Sequence, residues 1–103
     1  MEIIAKVVEH IGEELDDAKN YIKMAHKYRI SYPRLADKFC ELAEAEMQHA
    51  KILHAEAVRL IDDAKQDGKK PSAEMMAVYE YEHTKHIERA AIIRQMIADY
   101  RNA

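Results

Sequence analysis

Three polar residues of this chain, Glu14, Glu46 and His49, stand where their types and spacing can do chemistry. Each falls in a series of mostly apolar residues repeating at steps of three and four. The first series is Val7, Ile11, Glu14, Ala18, Tyr21, Ala25, Tyr28; the second is Leu35, Phe39, Leu42, Glu46, His49, Leu53, Glu56, Leu60. That period marks the inner stripe of an amphipathic helix. A carboxylate on such a stripe loses its water at a cost of several kcal/mol unless a partner replaces it. Two acids and an imidazole directed at one core therefore point to a cation. Imidazole with carboxylate suits iron, with manganese or zinc as competitors.

The E-x-x-H step turns about 300° and rises about 4.5 Å, so Glu46 and His49 project from one face of their helix. The motif alone is weak, because a chain this rich in Glu and His is expected to hold about one by chance. Two occur, Glu46/His49 and Glu80/His83. Context separates them. An antiparallel hairpin closing near residues 31–33 brings residue 14 level with residues 49–51, within a turn of Glu46. One Glu and one E-x-x-H are half of the ligand set of a carboxylate-bridged two-metal site in a helical bundle. A twofold dimer supplies the other half, and its four carboxylates balance two divalent ions. The opposing reading is a solvated Glu14 and a satisfied core His49.

The elements that must position these residues are three long helices, expected at about 3–30, 33–66 and 72–101. Ser31-Tyr32-Pro33 ends the first, since the residue before Pro is pushed out of the helical region and Pro suits a helix start. Asp67-Gly68-Lys69-Lys70-Pro71-Ser72 ends the second, with Gly68 suited to a left-handed C-cap and Ser72 to an N-cap. Both connections are short, so neighbours are antiparallel. The third helix carries Met76, Tyr79, His83, His86, Ala90, Ile93, Ile97 and Tyr100 on its stripe. The fold class is all-α: a helical hairpin plus a third long helix, one domain over 1–103, with a four-helix site completed by dimerisation.

Composition agrees. The 103 residues are 49% hydrophobic and 34% charged, with two Gly and two Pro, a helical profile. A net charge of −3 argues against nucleic acid as a partner. The single Cys40 excludes an intrachain disulfide and a C-x-x-C metal knot and reads as a small helix-side residue. The N-terminus is broken by charge every three or four residues, unlike a signal peptide. No run approaches the roughly 20 apolar residues of a membrane span. A cytoplasmic location, without membrane partners, is expected.

At its candidate ligands the chain resembles the rubrerythrin branch of the ferritin-like superfamily. The stretches Glu13-Glu14-Leu15-Asp16-Asp17-Ala18…Tyr21…Met24-Ala25 and Leu35-Ala36-Asp37-Lys38-Phe39…Leu42-Ala43-Glu44-Ala45-Glu46-Met47-Gln48-His49-Ala50 carry the likeness, over roughly residues 10–60. With one helix pair and a third helix, the chain is similar to the short encapsulated ferritins. The resemblance implies metal ligands at Glu14, Glu46 and His49 from both chains, and a catalytic-site Tyr21. It implies metal uptake past Glu13 and Asp16 or Asp17. It also implies two irons per homodimer, a homodimer or larger homo-oligomer, and an encapsulating shell protein as partner. No obvious cargo-loading tail is expected after Tyr100-Arg101-Asn102-Ala103, and the third helix is longer than that group needs.

The third helix is dense in ligand types at Tyr79-Glu80-Tyr81-Glu82-His83-Thr84-Lys85-His86. One reading makes Glu80, Glu82, His83 and His86 an auxiliary metal site. The other, preferred because Glu14, Glu46 and His49 already complete a symmetric site, is a pair of core-edge histidines bonded to Glu. Glu56 lines an access path or pairs with a Lys. His10, His26 and His54 read as surface residues. Tyr21 reads as a buried hydroxyl that orients a ligating carboxylate. The expected function is Fe(II) oxidation by oxygen or peroxide. The rivals are a rubrerythrin-type peroxide reductase and a non-catalytic helical oligomerisation protein.

Overall fold

A computed structural model describes residues 2–103. It is all-helical: α1 spans Glu2–Tyr28, α2 Pro33–Gln66 and α3 Ala73–Asn102. Local chemistry accounts for each end. Pro33 opens α2, where its missing N–H leaves no orphan donor. The turn before it keeps helical bonds, Tyr32 N–H to Tyr28 carbonyl at 2.8 Å and Ala36 N–H to Tyr32 carbonyl at 2.9 Å. Gly68, at φ 71°, closes α2 in a Schellman motif. Its N–H donates to the Lys65 carbonyl at 3.2 Å and that of Lys69 to Ala64 at 2.8 Å. Ser72 caps α3 by accepting from Met75 N–H at 3.1 Å.

α1 and α2 pack along their whole length. Contacts join 14 with 49, 21 with 39 and 28 with 32, so the two run antiparallel. α3 packs mainly on α1 and more thinly on α2. It runs parallel to α1, pairing Gly12 and Asp16 with Arg89, His26 with Met96 and Arg29 with Tyr100. The result is a rod of 56 × 19 × 18 Å, about one long helix in length.

The core differs from the sequence reading on α2. Its buried residues are Ala36, Cys40, Ala43, Ala50, Ala57, Ile61 and Ala64, one position along from the expected stripe. Phe39, Glu46, Leu53 and Leu60 are only half-buried, and Leu35, Leu42, His49 and Glu56 are exposed. On α1 the buried set is Ile4, Ile11, Leu15, Ala18, Ile22 and Ala25, with Val7, Glu14, Tyr21 and Tyr28 half-buried along one edge. The cause is the alanine repeat of α2, which lets the helices approach closely against Ala18 and Ala25. The bulkier neighbours of those alanines are turned outward. One side of the hairpin thus carries an uncovered apolar face with Glu14, Glu46 and His49 in it. α3 occupies the other side, and its expected stripe is the observed one, centred on His86, Ile93 and Tyr100.

Candidate metal centre

The antiparallel register sets Glu14 of α1 opposite the Glu46/His49 face of α2. Nδ1 of His49 lies 3.4 Å from Oε2 of Glu14 and 3.6 Å from Oε2 of Glu46. One ligand atom from each residue lies within 4.8 Å of the others. Two ligands about 2.1 Å from one tetrahedral ion stand roughly 3.4 Å apart, so the spacing suits a cation between them. The side chains of Glu14 and Glu46 are 25% and 18% exposed, and that of His49 is 53% exposed. Oε2 of Glu14 is sealed from solvent yet makes no hydrogen bond. Buried polar atoms nearly always find a partner, and an exception calls for a strain, chemical or ion-binding role. An acceptor-only oxygen beside a second carboxylate and an imidazole fits a cation. Among the described residues this is the one group of His, Cys, Asp and Glu poised to hold a metal.

The remaining candidates lie apart from it. Tyr21 is half-buried on the same edge of α1, two turns along, its ring stacked on Phe39 at 6.1 Å. Glu13 is exposed and paired with His10 at 3.1 Å. Asp16 is engaged by Arg89 of α3, while Asp17 and Glu56 are exposed. Glu80 is exposed on α3, and its carbonyl accepts from the Thr84 hydroxyl at 3.0 Å. Glu82 lines a cleft between α1 and α3. His83 and His86 face the α1/α2 hairpin on the side away from Glu14 and form no metal-holding group with Glu80 or Glu82. The short α3 stretch is rich in ligand types, but its side chains are spread over several faces.

Three contacts escaped the sequence reading. His54, expected at the surface, is half-buried with its ring stacked on His83 at 4.5 Å and 5°. Its heptad spacing from Cys40, Met47 and Ile61 was the available signal. The hydroxyl of Tyr100 donates to Asp37, and burial with that hydrogen bond pushes its pKa up to about 12. Arg101 pairs with Glu44 beside buried Cys40, whose thiol burial pushes above its ordinary pKa. No described helix is long and apolar enough to cross a membrane. Comparison with known proteins finds no matching family model, no matching characterised protein and no matching solved structure.

Proposed function

We propose that this protein is a ferritin-like di-iron protein that oxidises Fe(II) at a site completed by a second copy of the chain. The observation that carries the reading is the sealed Oε2 of Glu14, which makes no hydrogen bond and lies 3.4 Å from Nδ1 of His49 in a group with Glu46. Two hairpins joined through their uncovered faces would make a four-helix bundle with Glu14, Glu46 and His49 contributed twice. The bulky residues along that face, Phe39, Leu42 and Leu53, supply apolar area for the contact.

In that arrangement Glu14 and Glu46 of both copies would hold two divalent ions and balance their charge. His49 contributes Nδ1, the nitrogen that faces both carboxylates. The metal supplies one-electron chemistry toward oxygen or peroxide. The protein's part is to fix ligand geometry and to hold a pocket whose charge is balanced only when metal is present. Tyr21, packed on Phe39, lies along the same face and limits its exposure to water.

An anaerobic Fe(II) titration with sedimentation analysis, followed by separate pulses of oxygen and peroxide, tests the reading. Two irons per dimer are expected, with dimer favoured by metal. The His49→Ala protein should keep its helices by circular dichroism and lose most iron oxidation. Undiminished oxidation by that variant, or a metal-indifferent monomer, refutes the assignment and favours a helical interaction protein. Faster turnover with peroxide than with oxygen favours the peroxide-reductase form of the same site.

A further inference from the structure

α3 is held unevenly along its length. Its carboxy-terminal half is tied to both other helices. Nε2 of His26 donates to the Met96 carbonyl at 2.8 Å, and Arg29 donates to the carbonyls of Tyr100 and Ala103 at 3.1 Å. Tyr100 donates to Asp37, and Arg101 to Glu44. Toward the amino terminus, no hydrogen bond or ion pair joins residues 76–86 to α2 among the described residues. What meets α2 there is the ring of His83, stacked on His54 at 4.5 Å and continued by Tyr79 at 5.8 Å. One turn further, His86 is buried against Gly12 of α1. A cleft of about 610 Å³ opens between this half-helix and α1, and one of about 870 Å³ begins at His83 and runs on along the carboxy-terminal half.

We propose that residues 73–86 form a pH-operated arm, closed on α1 and α2 while His54 and His86 are neutral and released when they take up protons. The charges around the two rings favour that response. On α2, Lys51 and Glu44 share the larger cleft with His54 and His86, and α3 adds Arg94. On α1, Glu9 shares the smaller cleft with His86, and α3 adds Glu74, Glu82 and Arg89. Asp16 is committed to Arg89 and Glu44 to Arg101. That leaves Glu9, Glu74 and Glu82 set against Lys51 and Arg94, one negative charge in excess, so protons on both His54 and His86 turn the interface net positive.

Burial holds the pKa of His54 below that of free imidazole, and the neighbouring His83 acts in the same direction. Burial does the same for His86, assisted by Arg89 and opposed by Glu82. The closed state therefore binds fewer protons than the open one. Closure is fully favoured above the free-imidazole pKa of about 6.5. It weakens as pH falls below that value, by up to about tenfold per pH unit for each group. A helix segment of this length is marginal once undocked, so the released arm frays while the clasped half of α3 stays in place.

Hydrogen exchange of the metal-free protein, corrected for intrinsic rates and read by peptide at pH 7.5 and 5.0, tests the arm. Protection over 73–86 should fall at least tenfold at pH 5.0, with that of 91–102 and of the α1/α2 hairpin retained. The His54→Phe/His86→Leu protein, which keeps apolar side chains but cannot titrate, should hold the arm closed at both pH values. Equal wild-type protection at the two pH values, a loss spread evenly over all three helices, or the same loss in the variant overturns the proposal. A proton NMR titration of the wild-type histidine rings is decisive should the variant fail to fold. At least two rings must titrate below the free-imidazole range, and ordinary midpoints for all six histidines overturn it.

Discussion

Replacing Glu14 by leucine separates what this residue costs the fold from what it offers a metal. Its Oε2 is buried without a hydrogen bond, while the side chain as a whole is 25% exposed. An unsatisfied buried polar group costs about 1–3 kcal/mol. Because part of Glu14 reaches solvent, the lower end of that range, about 1 kcal/mol, applies. Leucine is of similar length, removes the orphaned oxygen and adds apolar contact. The metal-free Glu14→Leu protein should therefore melt above the wild type by roughly 4 °C, since about 1 kcal/mol moves a domain of this size by that order.

The same change removes one of three ligand atoms, so the order should reverse when metal is added. Metal in a hundredfold excess over its dissociation constant stabilises the wild type by about 2.7 kcal/mol, roughly 10 °C on the same scale. The variant should gain little. Circular-dichroism melts at one fixed protein concentration, with and without Mn(II) or anaerobic Fe(II), read both effects. The reasoning fails if the leucine protein is less stable without metal, because Glu14 is then a structural residue. It fails equally if metal stabilises both proteins alike.

Two further changes probe the third helix's attachment. Tyr100→Phe deletes the hydroxyl bonded to Asp37 and should cost about 1–2 kcal/mol at neutral pH by urea unfolding. The raised pKa of Tyr100, about 12, means the folded protein keeps a proton that the unfolded chain loses near pH 10. This contribution is fully present below about pH 10 and fades as pH rises toward 12, so the Phe variant should show a shallower alkaline decline. Gly12→Ala should stabilise α1 by up to about 1 kcal/mol through helix propensity. The added Cβ would sit 3.5 Å from Nε2 of His86 and 3.7 Å from the Arg89 guanidinium, ordinary contact distances. A lower melting temperature would show that the Arg89 bond to the Gly12 carbonyl at 3.1 Å tolerates no shift.

Much of the molecule was legible in the sequence because it rests on local rules. Pro33, Gly68 and Ser72 fix the helix ends through missing donors, positive φ and a side-chain acceptor. Short turns then impose the antiparallel register that sets residue 14 beside 46 and 49. The face of α2 that packs inside was not legible. Reading stripes by hydrophobic size selects Leu35, Leu42 and Leu53, whereas close packing selects the small residues Ala36, Ala43, Ala50 and Ala57 one position along. Tertiary partners were hidden for a similar reason. Nothing local in the sequence pairs His54 with His83, Tyr100 with Asp37 or Asp16 with Arg89, because each bond depends on where α3 lies across the hairpin.

That placement of α3 bears on the proposed site. A hairpin alone has two flanks from which a further helix pair can approach. α3 takes the flank of Leu15, Met47 and His54 and leaves the one bearing Glu14, Phe39, Glu46 and His49 uncovered. A carboxylate pair and a half-exposed imidazole among Phe39, Leu42 and Leu53 are a poor outer surface for a monomer. The apolar residues stay wet, and one carboxylate oxygen is dry without a hydrogen bond. Closing the face with apolar residues alone would cover the leucines but desolvate Glu14 and Glu46 further. Cations alone would leave the leucines exposed. A second copy together with metal relieves both, and so the proposed site is expected to assemble and load together rather than in sequence.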